Sequence, residues 1–245
     1  MKGDVSGFAL ADLPGLARGM GLEVSLAAAP FERYLAFLQA GAERLNLTAL
    51  KGEGEAVVKH FLDSLTCLLA PIFPPGASVI DVGSGAGFPG VVLRLARPDL
   101  KVTLLDSLRR RADFLEAVVG DLGLDVAVIA ARAEEAGQAP GHREAYDCAV
   151  ARAVAPMAVL AEYCLPLVRA GGAFLAMKGP GVTAELAAAA GALSLLGGGE
   201  PGLIPLSLPG GAGERRLVVV PKLRPSPPGY PRRPGLPAKR PLGGE

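Results

Sequence analysis

Hydrophobic positions along the chain change their period near residue 70. Before it, Phe31, Leu35 and Leu38 fall on one face of a stretch opening at Pro30. Val58, Phe61, Leu62, Leu65, Leu68 and Leu69 then recur at i, i+3, i+4 and i+7. That spacing predicts two helices, each with one buried side. Pro30 suits a helix's first turn, where its missing N–H has no partner, and Pro71, Pro74 and Pro75 stop the second helix. From Ala77 onward short apolar runs alternate with helical stretches. Strands are expected up to Asp81, over 101–106, 125–130, 147–151 and 173–177, and helices up to Ala96 and over 108–122, 157–169 and 183–196. Such alternation predicts an α/β fold, a mostly parallel sheet with helices on both faces. Two further runs, 203–208 and 217–220, flank the turn Pro209–Gly213 and are close enough to pair as a terminal antiparallel hairpin. The expected division is an N-terminal helical region, 1–70, an α/β domain, 71–221, and a tail, 222–245.

The first strand ends in an acid and breaks into glycines: Val79-Ile80-Asp81-Val82-Gly83-Ser84-Gly85-Ala86-Gly87-Phe88-Pro89-Gly90. Glycines serve where the backbone takes positive φ or lies against a ligand with no Cβ between. In a dinucleotide site a turn of this kind cradles a pyrophosphate, and Asp81 would repel that anion. S-adenosylmethionine carries a sulfonium and an ammonium and no phosphate, so an acid suits it. The second strand also ends in an acid, Asp106, about where such folds place a carboxylate on ribose hydroxyls. GxGxxG at Gly85, Gly87 and Gly90 is weak alone; together with Asp81 and Asp106 it is a much stronger set. A tight turn with no ligand and a nicotinamide site remain the alternatives. Parallel sheet plus hairpin is the arrangement of Rossmann-like methyltransferases, whose ligands sit at the carboxyl ends of the strands.

Those ends are polar: Asp81, Asp106 with Ser107, then Arg132, Glu134 and Glu135, then Arg152, then Lys178, with Glu214, Arg215 and Arg216 at the hairpin turn. Arg109, Arg110 and Arg111 open a helix, where positive charge opposes the helix dipole. Each arginine is read either as a solvated side chain or as part of a basic surface for nucleic acid. The 245 residues carry a net charge of +1. No apolar run of transmembrane length and no secretory signal are seen, so a cytoplasmic protein with no membrane partner is expected. Three dispersed cysteines, Cys67, Cys148 and Cys164, and two histidines, His60 and His142, suggest reduced core thiols and no metal site. The tail holds Lys222, Arg224, Arg232, Arg233, Lys239 and Arg240 against one acid, Glu245, among seven prolines. It is expected to be an extended, largely disordered arm, either touching nucleic acid or merely solubilising.

Several strings together resemble one family. They are Asn46-Leu47-Thr48-Ala49, His60-Phe61-Leu62-Asp63-Ser64-Leu65, Asp81 to Gly90, Leu104-Leu105-Asp106-Ser107-Leu108, Ala151-Arg152-Ala153, Met177-Lys178-Gly179 and Gly213-Glu214-Arg215-Arg216. From about residue 30 to 221 the chain resembles the glucose-inhibited division protein B family, bacterial 16S ribosomal RNA guanine-N7 methyltransferases; the proline-rich tail lies outside that pattern. The resemblance implies a class I S-adenosylmethionine-dependent fold and 16S ribosomal RNA or the small ribosomal subunit as partner, with the protein expected to be a monomer. It places the cofactor's methionine and adenosine against the backbone at Gly83 and Phe88, in the turn where the residues themselves already set Asp81, Gly85 and Gly87 as cofactor-binding, its ribose on Asp106 beside Ser107 and Leu108, its adenine at Ala133 and Glu134, and Arg152 at the border of the methyl-donor site. RNA contacts are expected from Asn46, His60, Arg109, Arg110, Arg111, Arg132, Lys178, Arg215 and Arg216. His60 and Asp63, spaced i, i+3, read equally as a helix-surface pair.

Guanine N7 has a free in-plane lone pair, so its methylation removes no proton and calls for no general base. Arg152 is the candidate for positioning the base through O6. The rival classes are a nicotinamide-dependent oxidoreductase, which Asp81 opposes, and a non-catalytic RNA-binding protein on the same fold, which the intact glycine turn and both acids oppose.

Overall fold

The computed structural model describes residues 4–45 and 52–243. Seven strands form one sheet in the order β3-β2-β1-β4-β5-β7-β6. They are β1 (Ser78–Val82), β2 (Lys101–Asp106), β3 (Ala127–Ala130), β4 (Tyr146–Arg152), β5 (Val168–Lys178), β6 (Gly202–Leu208) and β7 (Gly213–Pro221). The first five pair in parallel, and β7 pairs antiparallel with both β5 and β6. This is the parallel sheet with a terminal hairpin that the alternating pattern anticipates.

Side chains alternate across the sheet as a period of two requires. Val79, Leu104, Val150 and Leu175 enter one core, shared with α5 (Gly90–Ala96), α6 (Arg109–Leu122) and the N-terminal helices. Ile80, Leu105, Ala149 and Phe174 enter the other, against α8 (Met157–Cys164) and α9 (Val182–Leu195). Strands buried on both faces read as near-continuous apolar runs, and these do.

The N-terminal elements are α1 (Leu13–Gly19), α2 (Ala28–Leu45) and a continuous helical run: α3 (Glu53–Ala56), a π-helical segment (Val57–Leu62), α4 (Asp63–Leu65) and a 3-10 turn (Thr66–Leu69). Phe31, Tyr34 and Phe61 are fully buried here. Phe61 packs edge-on against Phe31 at 5.4 Å and tilted against Tyr34 at 5.6 Å, contacts that contribute about 0.5–1.5 kcal/mol each beyond their burial.

Several placements differ from the sequence reading. The strand expected over 217–220 begins at Gly213, so Glu214, Arg215 and Arg216 lie within β7, paired with Ser207, Leu206 and Pro205, and not on the hairpin turn. The helix expected over 157–169 stops at Cys164, because Pro166 has no N–H to donate and Leu165–Leu167 tightens into a 3-10 turn. The strand expected from Ala173 begins five residues earlier, at Val168. Gly171-Gly172 therefore lies inside β5: a Cβ at Gly172 would stand 2.3 Å from the Asp147 carbonyl oxygen, so glycine permits the close strand approach beside the β4 irregularity.

A further correction concerns the tail. Residues 222–243 are not an extended disordered arm: they pack back across the sheet's α7 (Ala133–Ala136) and α8 side and end in a short helix, α10 (Leu236–Lys239). Lys222 is buried and donates to the Leu165 and Leu196 carbonyls and to Ser226 Oγ, at 2.7, 3.1 and 2.5 Å. Arg232 pairs with Glu162, a carboxylate with no exposed side-chain surface, at 2.6 Å. Composition marks a charged, proline-rich segment as unable to bury a core. This one uses two of its charges, Lys222 and Arg232, on buried partners supplied by the rest of the chain.

Candidate functional site

The turn after β1 is built by three glycines in the left-handed region: Gly83 (φ 76°), Gly85 (φ 61°) and Gly87 (φ 105°). Two are also packed too closely for a side chain. A Cβ on Gly83 would lie 2.7 Å from Val154 Cγ2, and one on Gly87 would lie 2.5 Å from Tyr34 Oη. Tyr34, on α2, donates its hydroxyl proton to the Ala86 carbonyl at 2.7 Å, so the N-terminal helices hold the turn in shape.

Asp81 is fully buried beneath this turn. Its Oδ2 accepts the Gly90 N–H at 2.8 Å, a carboxylate at the electropositive start of α5. Its Oδ1 has no hydrogen-bond partner among the described residues. Burial pushes the carboxyl up to about 7, against the opposing pull of the Gly90 N–H, the Arg152 charge and the nearby Ser84 hydroxyl. A buried oxygen with no partner is costly, and a bound cation or donor there removes that cost.

Asp106, at the end of β2, is also buried, and both of its oxygens are engaged. Oδ2 accepts the Gly85 N–H at 3.0 Å, with Arg111 at 3.5 Å, and Oδ1 accepts the Leu108 N–H at 2.9 Å. The acid thus ties the glycine turn to the loop after β2, while Ser107 and Leu108 stand exposed beside it.

Between these loops lies a cavity of about 210 Å³ whose walls include Gly83, Ser107, Ala133, Glu134, Val154 and Tyr163. It is smaller than the roughly 300 Å³ at which drug-sized sites begin, and it reaches the glycine turn at Gly83. A larger hollow, about 620 Å³, sits at the opposite end of the sheet, near Pro71, Asp147 and Arg169. It contains none of the turn's residues.

Arg152, at the end of β4, is held rather than free. Nη1 donates to the Lys59 carbonyl and to Asp63 Oδ2, each at 3.3 Å, Nη2 lies 3.3 Å from His60 Nδ1, and the guanidinium stacks 4.8 Å over the Phe88 ring. His60 stacks on the same ring at 5.0 Å. Asp63 also accepts from Arg215 at 3.1 Å, so one buried carboxylate joins the helical run 53–69 to β4 and β7. Burial raises the Asp63 carboxyl despite both arginines. The next residue, Ala153, takes φ 55°, a left-handed conformation that costs a non-glycine residue energy and recurs at functional sites.

The proposed RNA-facing residues divide into two groups. Arg109, Arg110 and Arg132 are exposed; Arg109 pairs with Asp113 within its helix. Lys178 instead donates to the Ala155 carbonyl and pairs with Glu185, and Arg216 pairs with Glu214. Asn46, with its Leu47-Thr48-Ala49 neighbours, lies outside the described residues. No cluster of metal-ligating side chains occurs among the described residues. No helix among them is long and apolar enough to cross a membrane. Sequence reasoning missed Tyr34, Val154 and Tyr163, all apolar-looking positions whose role depends on tertiary placement.

A parallel sheet with this strand order, a terminal hairpin and a glycine turn over a buried acid defines a Rossmann-like methyltransferase fold. A solved structure described as a predicted O-methyltransferase from Agrobacterium tumefaciens shares it, with a TM-score of 0.53 over 64% of this chain and 79% of that one, at 19% identity. Residues 27–207 match the family described as rRNA small subunit methyltransferase G. The ribosomal RNA small subunit methyltransferase G of Pelotomaculum thermopropionicum is 50% identical over 228 residues, 92% of this chain and 95% of that protein. That of Symbiobacterium thermophilum is 53% identical over 206 residues, 82% and 84% of the two chains. The chain belongs to the rRNA small subunit methyltransferase G family.

Proposed function

We propose that this protein transfers a methyl group from S-adenosylmethionine to N7 of a guanine in a loop of 16S ribosomal RNA. The observation that carries the reading is Asp81: a buried acid with one unpartnered oxygen beneath a positive-φ glycine turn, suited to a cationic ligand and hostile to a pyrophosphate. Gly83, Gly85, Gly87 and Phe88 line the ligand, Asp106 with Ser107 and Leu108 takes its ribose, and Ala133 and Glu134 meet its adenine. When bound, S-adenosylmethionine supplies a methyl group on a sulfonium, ready for direct displacement.

The remaining work of the chain is positioning. N7 offers its own lone pair, so no residue needs to remove a proton. Holding two reactants aligned recovers up to roughly 7–11 kcal/mol of barrier. Arg152 and His60, 3.3 Å apart, together pack against the Phe88 ring beside the donor site. For Arg152 to reach guanine O6 it must exchange one of its present bonds, to the Lys59 carbonyl or to His60. Exposed Arg109, Arg110 and Arg132 meet phosphates, and unstacking a loop base costs less than opening a duplex. The test is chemical mapping of N7-methylguanine in 16S ribosomal RNA from cells with and without the gene, paired with single-turnover methyl transfer by the purified protein. Identical maps and no transfer would exclude the enzyme and leave an RNA-binding protein.

A further inference from the structure

We infer that the C-terminal segment 229–240 is a strap that forms one wall of the cofactor pocket and fixes Glu134 for the adenine ring; this rests on the S-adenosylmethionine reading above. Ala238, on α10, lines the same cavity as Gly83, Ser107 and Glu134. The Gly235 N–H donates to Glu134 Oε1 at 2.8 Å, from a left-handed backbone (φ 80°) that glycine adopts without strain. Glu134 is buried, so with Oε1 taken, Oε2 is the oxygen left to accept from an exocyclic amine.

The strap's moorings fall on the two elements that flank the pocket. On the α7 side, Gln138 Nε2 donates to the Pro231 carbonyl at 2.8 Å, and Arg143 donates to the Tyr230 carbonyl at 2.6 Å. Gly137 lies so close beneath that a Cβ there would stand 2.5 Å from Pro231 Cγ. On the α8 side, Arg232 grips Glu162 through Nε and Nη2. A detached arm would leave Glu162 as a buried charge without a cation and Glu134 without its donor, both strongly unfavourable. The strap therefore stays closed, tying α7 to α8 across the purine end of the cavity. The cofactor's adenine packs against it, although it lies more than a hundred residues from the glycine turn in sequence.

Hydrogen–deuterium exchange on the full-length protein, with and without S-adenosylhomocysteine, tests this directly. The expected result is slowed exchange at the amides of Gly235, Leu236, Ala238 and Lys239 together with those of residues 83–88. In parallel, full-length Ala238→Leu should bind S-adenosylhomocysteine about tenfold more weakly, because the added carbons overfill the pocket. Its melting temperature and its affinity for ribosomal RNA should stay as in the unmodified protein. Protection confined to 83–88, with unaltered affinity in Ala238→Leu, overturns the strap and leaves the cofactor reading standing. Protection of neither segment overturns both.

Discussion

At the residue scale, Asp81 makes a prediction that separates its folding role from its binding role. Its carboxyl is raised to about 7, and burial is the main cause. Raised acids contribute stability that is fully present below the unfolded value, near 4, and lost as pH rises through about 7. At pH 8 the ligand-free protein therefore carries an ionised, half-satisfied carboxylate, at a cost of a few kcal/mol. Asp81→Asn keeps an acceptor for the Gly90 N–H and removes the charge. Thermal melts should show its stability relative to the unmodified protein rising steadily from pH 5 to pH 8, while calorimetry shows S-adenosylmethionine affinity reduced about tenfold or more. A relative stability that falls toward pH 8 would mean the carboxylate is satisfied without a ligand. The same group predicts proton release. A cationic ligand favours the ionised form, so at pH 6.5 the binding enthalpy should change with the buffer's ionisation enthalpy, and affinity should fall on acidification below about 7. A binding enthalpy independent of buffer would remove Asp81 from the cofactor's charge.

At the element scale, the helical run 53–69 and the two strands it meets are joined by Asp63. Its side chain is 5% exposed and pairs with Arg152, 16% exposed, and Arg215. Removing one partner of a buried pair leaves an uncompensated charge, worth about 3–5 kcal/mol. Asp63→Ala should accordingly lower urea stability by about 3 kcal/mol, whereas Arg216→Ala, whose partner Glu214 is exposed, should cost under about 1 kcal/mol. Equal effects would show that Asp63 is not the joint between these elements. The elements themselves were legible where apolar period and punctuation agreed: β1, β2, α6 and the hairpin stand close to where alternation put them. Legibility failed where a residue's role was set by a distant neighbour. Gly171-Gly172 looks like a break, and only the Asp147 carbonyl against it makes it the interior of β5. The 57–62 stretch shows a one-sided helical period, and nothing in that period distinguishes a π-helical winding from an α-helical one.

At the scale of the whole molecule, the catalytic end of the sheet is assembled from the glycine turn, the N-terminal helices behind it and the strap across it. The first of these is local in sequence and was readable; the others are not. Tyr34 under Ala86 and Gly235 beside Glu134 join residues 52 and 101 positions apart, a separation that no periodicity reports. The tail's charge was readable, but its use was not, and this bears on RNA affinity. Of its six basic side chains, Lys222 is buried, Arg232 is held by Glu162, and Arg224 donates to the Ser194 carbonyl. Arg233, Lys239 and Arg240 remain exposed. Each phosphate neutralised on single-stranded RNA steepens the slope of log affinity against log salt by about 0.7. Replacing these three by serine should flatten the slope by up to about 2, with S-adenosylhomocysteine affinity intact, since none of them lines the pocket. Arg224→Ser should leave the slope alone. An unchanged slope in the triple variant would assign the phosphate contacts to Arg109, Arg110 and Arg132 and leave the strap facing the cofactor only.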